Sequence, residues 1–79
     1  MRMPYDSSLD EQLFSKAWTK ENQKIVVSVY SYNNGAKKLQ IVRENQDQEG
    51  NYRFAKLGRL TKEEIEGILP MIQEAITQM

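Results

Sequence analysis

The stretch Ile25-Val26-Val27-Ser28-Val29-Tyr30-Ser31-Tyr32-Asn33-Asn34-Gly35 decides the fold. Its first eight residues are mostly β-branched or aromatic, the composition of a strand. Asn33-Asn34-Gly35 follows, and Asn-Gly tolerates the positive φ angles of a hairpin turn. Side chains alternate across a strand. If Val27 and Val29 face the core, Tyr30 and Tyr32 therefore face away from it.

Working outward, Lys38 to Glu44 reads as the returning strand, with Leu39 and Ile41 on one face. Gln46 to Asn51 is a polar connection, Tyr52 to Leu57 reads as another strand, and Gly58 opens a short link. Upstream, Leu9, Leu13, Phe14 and Ala17 suit a helix. Leu13 to Lys20 equally suits a strand with Phe14, Lys16, Trp18 and Lys20 on one side. The strand is the reading adopted. Residues 1–12 are then an N-terminal arm, loose over 1–8, and residues 13–79 form one domain, with the sheet over about 13–60.

The helix is the clearest element. Thr61 with Glu64 three residues on is a capping box, and an apolar ladder follows at once. Ile65, Ile68, Leu69, Ile72, Ile76 and Met79 recur at three- and four-residue steps, covering an arc of roughly 120° with Ala75 at its edge. Pro70 lacks a backbone N–H and kinks the helix there, and Gly67 loosens the same turn. The expectation is an α+β domain: a four-stranded antiparallel sheet, then a kinked helix over 61–79.

Seventy-nine residues allow one domain with a marginal core. The sequence has neither cysteine nor histidine. A disulfide, a thiolate zinc site and the commonest general base are thus excluded. Oligomerisation is the remaining support for so small a core, and the ladder Ile65, Ile68, Leu69, Ile72 and Ile76 is the candidate homodimer interface. No apolar run approaches a membrane span, and the N-terminus lacks the segment of a signal peptide. The location expected is cytoplasmic, on the nucleoid in a bacterium.

The net charge is zero, but it is unevenly spread. Residues 15–60 carry nine cations against four anions, residues 1–14 carry one against three, and residues 61–79 one against four. A basic middle between acidic ends can build a phosphate-attracting face, although an unevenly charged solvated surface is the plainer reading.

Nothing marks an enzyme. Glu63, Glu64 and Glu66 fall in the first turns of the helix, where acidic residues complement its dipole. Asp47 and Glu49 lack calcium-loop spacing, and no phosphate-binding glycine motif is present. No catalytic residue, metal ligand or cofactor is assigned. The binding constellation is richer: Tyr30, Tyr32, Tyr52, Phe54 and Trp18 stand among lysines and arginines. Bases of single strands stack on rings while cations follow phosphates. Tyr52 and Phe54 suit core capping as well as stacking, and Trp18 suits packing better.

From Lys24 to Met79 the order of features resembles the Positive Cofactor Four family of single-stranded-DNA-binding transcriptional coactivators, with which the Whirly proteins share a related topology. The matching pieces are Val27-Ser28-Val29-Tyr30-Ser31-Tyr32, the turn ending in Lys37-Lys38, Leu39-Gln40-Ile41-Val42-Arg43-Glu44, and Lys56-Leu57-Gly58-Arg59-Leu60-Thr61. The resemblance implies a curved sheet and a dimer that grooves two sheets for single strands. The family's aromatic at the end of its second strand maps to Tyr32, its turn lysine to Lys37 or Lys38, and its strand arginine to Arg43. This sequence has one extra residue within Leu39–Glu44, so a bulge is needed there if Arg43 is to face ligand while Leu39 and Ile41 stay buried. The aromatic often found after the arginine is replaced by Asn45 and Gln46.

The function expected is a homodimeric, largely sequence-independent binder of single-stranded DNA, or RNA, acting beside transcription or replication proteins or in repair. Tyr30, Tyr32 and Phe54 would stack, and Lys37, Lys38, Arg43, Lys56 and Arg59 would hold phosphates. The alternative is a protein–protein interaction module whose rings are interface anchors.

Overall fold

Alternation along the quoted stretch produces a buried row. In a computed structural model of the protein, which describes residues 7–79, Ile25, Val27 and Val29 are completely buried on one face of their strand. Residues 1–6, the start of the expected arm, lie outside the described residues.

After a single 3-10 turn at Ser7–Leu9 come β1 (Asp10–Lys20), β2 (Gln23–Tyr32), β3 (Lys37–Gln46) and β4 (Tyr52–Ala55), then α1 (Lys62–Ile76). The strands form one antiparallel sheet in the order β1-β2-β3-β4, an α+β fold. The N-terminal ambiguity resolves as strand, and β1 begins three residues earlier than its apolar pattern indicates. Asp10, Glu11 and Gln12 are polar, yet they pair with Tyr32, Ser31 and Tyr30.

Turn chemistry sets the register. Asn33 and Asn34 take positive φ (51° and 58°), and the Gly35 N–H donates to the Tyr32 carbonyl at 2.8 Å, the pattern of a type I′ turn. The two asparagines, rather than the glycine, supply the left-handed pair. Between β3 and β4, Asp47 organises the connection: its Oδ1 accepts from the N–H of Glu49 and of Asn51, both at 2.9 Å. That is an Asx-type turn.

The β2–β3 pairing runs unbroken from Gln23↔Asn45 to Ser31↔Lys37. The bulge expected in Leu39–Glu44 is absent. The register shift falls in β1 instead, between Gln12 and Phe14, and it leaves Leu13 as the extra residue.

Helix α1 lies mainly over β1 and β2. Ile68 and Ala75 are buried with the β2 row, and Phe14, Trp18, Ile41, Met71 and Ile72 pack around them. Burying an aliphatic side chain of this size contributes roughly 1.5–3 kcal/mol. Among the described residues five apolar side chains are buried, so this is a thin core. Two ion pairs fasten the helix to β1, Lys20 with Glu63 at its start and Lys16 with Glu74 near its end, each at 2.5 Å. Gly67 allows the approach: a Cβ there would collide with the Trp18 indole. The helix continues through Pro70, and no described helix is long and apolar enough to cross a membrane.

Candidate nucleic-acid interface

Because α1 covers one face of the sheet, the parity of β2 turns Tyr30 and Tyr32 to the other. Cross-strand pairing carries that face outward: Tyr30 lies between Gln12 and Lys38, and Lys24 lies opposite Glu44, which lies opposite Phe54. Phe54 is 80% exposed, an unusual setting for a phenylalanine in a strand. Tyr52 is half-buried, with the Lys24 ammonium 4.3 Å from its ring centre, a cation–π geometry. Tyr30, Tyr32, Tyr52 and Phe54 thus share the face that the helix leaves open. Sequence reasoning missed Lys24, although its even number puts it in phase with Tyr30 and Tyr32.

The cations of the basic middle divide sharply. Lys16, Lys20, Lys24, Arg43 and Arg53 each have a carboxylate partner. Lys37, Lys38, Lys56 and Arg59 form no ion pair among the described residues. Lys38 stands on the open face beside Tyr30, Lys37 belongs to the helix-side row opposite Ser31, and Lys56 and Arg59 lie in the connection between β4 and α1. The open face itself is nearly balanced, with Lys24 and Lys38 against Asp10 and Glu44.

Arg43 does not belong with this group, which corrects the sequence expectation. With β3 unbroken, Arg43 shares the face of Leu39 and Ile41 and lies opposite Ile25, on the helix side. There its guanidinium makes a forked pair with buried Glu64: Nη1 donates to Oε2, and Nη2 donates to Oε1 at 3.2 Å. Its Nε donates to the Leu57 carbonyl at 3.3 Å. Glu64 also accepts the Thr61 N–H at 2.8 Å and donates its own N–H to Thr61 Oγ1 at 3.1 Å, completing the capping box. The Arg43 hydrogen bond, then the Thr61 N–H, holds the Glu64 carboxyl down at about 2, well below the usual carboxylate range. Asp47 is lowered as well, chiefly by the Arg53 side chain.

The helical ladder serves two surfaces. Ile68 is buried in the chain's own core and Ile72 is half-buried there, so Ile68 is not available to a partner. Ile65, Leu69, Ile76 and Met79 form a separate stripe, between 47% and 61% exposed. A depression of about 300 Å³ near the helix N-terminus is lined by Trp18, Lys20, Glu21, Thr61, Glu63 and Glu64; Lys20 is paired with Glu63, and Glu64 with Arg43 outside the depression. It lies on the helix side, away from the exposed rings. The chain matches no family model, no curated protein and no solved structure.

Proposed function

We propose that this protein is a homodimeric, largely sequence-independent binder of single-stranded DNA or RNA. The observation that carries the reading is that Tyr30, Tyr32, Tyr52 and Phe54 share the sheet face opposite the helix, with Phe54 80% exposed. A ring left 80% in water forgoes its hydrophobic stabilisation unless a ligand covers it. Unpaired bases offer π-faces to such rings, whereas a duplex hides them. Lys38 stands beside the rings, and Lys37, Lys56 and Arg59 are the other cations with charge to spare for phosphates. The exposed stripe Ile65, Leu69, Ile76 and Met79 supports self-association.

A second reading, a protein-interaction module, is favoured by the near-neutral charge of the open face. Salt separates the two. Each phosphate neutralised on a single strand contributes about 0.7 to the slope of log affinity against log salt. The four cations of the basic middle that form no ion pair among the described residues account for a slope of about 3 per protomer. Fluorescence anisotropy with oligo-thymidine, its duplex and an RNA of equal length, at two salt concentrations, tests the proposal. Tighter binding of single strands with a measurable salt slope is expected. Equal affinity for blunt duplex, or no binding at low salt, refutes it.

A further inference from the structure

The outer edge of β3 is paired over only part of its length. Strand β2 covers the inner side from Asn45 to Lys37, but β4 covers the outer side only from Arg43 to Gln46. After Ala55 the chain turns towards the helix side, where the Leu57 carbonyl accepts from Arg43. No described strand pairs with the outer side of residues 37–42.

The direction of the unpaired groups follows from the ladder. The Asp47 N–H donates towards β4, to the Asn51 carbonyl at 2.8 Å, while the Gln46 N–H donates towards the β1–β2 turn, to Asn22 at 2.6 Å. Directions alternate along an antiparallel strand. Lys37, Leu39 and Ile41 accordingly aim both N–H and C=O outward, a ready template for a further strand.

We propose that this edge docks an extended acidic peptide segment of a partner protein, which joins the sheet as an added strand. Three arguments select that occupant. An edge offers donors and acceptors in alternation, and a peptide backbone meets both, whereas a nucleic-acid backbone is almost wholly an acceptor and leaves the carbonyls unmatched. The four cations without ion pairs bracket the gap: Lys37 and Lys38 begin it, while Lys56 and Arg59 lie in the segment that leaves β4 opposite its far end. A second copy of this chain, pairing β3 with β3, would bring eight such cations to a seam whose own residues, 37–42 of each copy, include no anion. The other edge of the sheet differs on both counts. Strand β1 is bulged at Leu13, and its Lys16 and Lys20 are already paired.

The register dictates the partner's pattern. Residues directly opposite across an antiparallel pair share a face. Acidic side chains belong opposite Lys37 and Lys38, and an aliphatic one opposite Leu39, which is 36% exposed. The backbone edge is distinct from the aromatic face, but the site shares Lys37, Lys38, Lys56 and Arg59 with the phosphate contacts proposed above, so peptide and single strand compete for those cations.

The probe is the capped peptide Glu-Glu-Val-Thr-Val-Glu-Glu, with a version N-methylated at alternate amides as control. Amide hydrogen exchange of the labelled full chain reads the edge directly. The N–H groups of Lys37, Leu39 and Ile41 should exchange freely without peptide and at least about tenfold more slowly at saturation. The N–H groups of Lys38, Gln40 and Val42, already bonded to β2, should be protected throughout. Peptide anisotropy should weaken at least about tenfold for the N-methylated probe and for the Lys37→Glu, Lys38→Glu double variant. Three results overturn the proposal: unchanged exchange at the three outward amides, equal binding of the N-methylated peptide, or protection of the same amides by oligo-thymidine alone or by rising protein concentration alone.

Discussion

Replacing Glu64 by glutamine removes one charge at the point where α1 joins β3. In the folded chain the Glu64 carboxyl titrates at about 2, against 4.5 for an ordinary glutamate. At about 1.4 kcal/mol per unit, the shift corresponds to about 3 kcal/mol of stability at neutral pH. Glutamine still accepts one hydrogen bond from Arg43, so a loss of about 2 kcal/mol is expected. For a domain of this size that lowers the melting temperature by about 8–16 °C. The sign follows from the depressed pKa. The contribution is fully present above pH 4.5 and is lost as pH falls towards 2, where wild-type Glu64 itself takes up a proton. Urea unfolding of both proteins at one fixed concentration, from pH 7 to pH 2.5, measures the gap directly. Taking the difference cancels every other carboxylate. A gap near 2 kcal/mol at pH 7 that narrows below pH 4 is expected. A Gln variant as stable as wild type at pH 7, or a gap that persists unchanged to pH 2.5, refutes the reasoning.

Phe54→Ala should leave the melting temperature unchanged, since the ring is 80% exposed, yet weaken oligo-thymidine binding by roughly 1–3 kcal/mol with no change in salt slope; anisotropy across a salt series checks both. Leu69→Asp should yield a folded monomer by sedimentation equilibrium, whereas Ile68→Asp, at a site 2% exposed, should unfold the chain by circular dichroism. Gly67→Ala gains helix propensity but drives a methyl into the Trp18 indole. The expected net loss is about 1–3 kcal/mol, with a shift in the emission of the single tryptophan.

What the sequence revealed, and what it hid, divides along the range of the interactions. The capping box at Thr61 and Glu64 is a four-residue device, and the structure contains it as read. The parity of β2 is equally local, and it separates Val27 and Val29 from Tyr30 and Tyr32 without reference to any other strand. Arg43 is the instructive miss. Its face depends on whether β3 contains a bulge, and β3 pairs with β2 without one; the register shift lies in β1, between Gln12 and Phe14. The buried partner of Arg43 stands 21 residues away on another element, and no local pattern announces it. In sequence the helical ladder is one surface, because Ile65, Ile68, Leu69 and Ile72 fall within one arc. The sheet, covering only part of that arc, divides it.

Glu64 closes the capping box with Oε1 and receives the fork of Arg43 with Oε1 and Oε2. Its carboxylate therefore couples two events in time. Isolated helices this short are marginal in water, and this one contains Pro70. Its first turn gains full support only after the β2–β3 hairpin has zipped far enough to present Arg43. Hairpin closure takes about 1–10 μs, and helix relaxation is quicker still. The order of events is thus set by topology, with the hairpin as the slow step and the helix following on a template already built. Early in refolding, amides of β2 and β3 acquire protection first. Those beyond Pro70, the most distant from the Glu64 anchor, acquire it last.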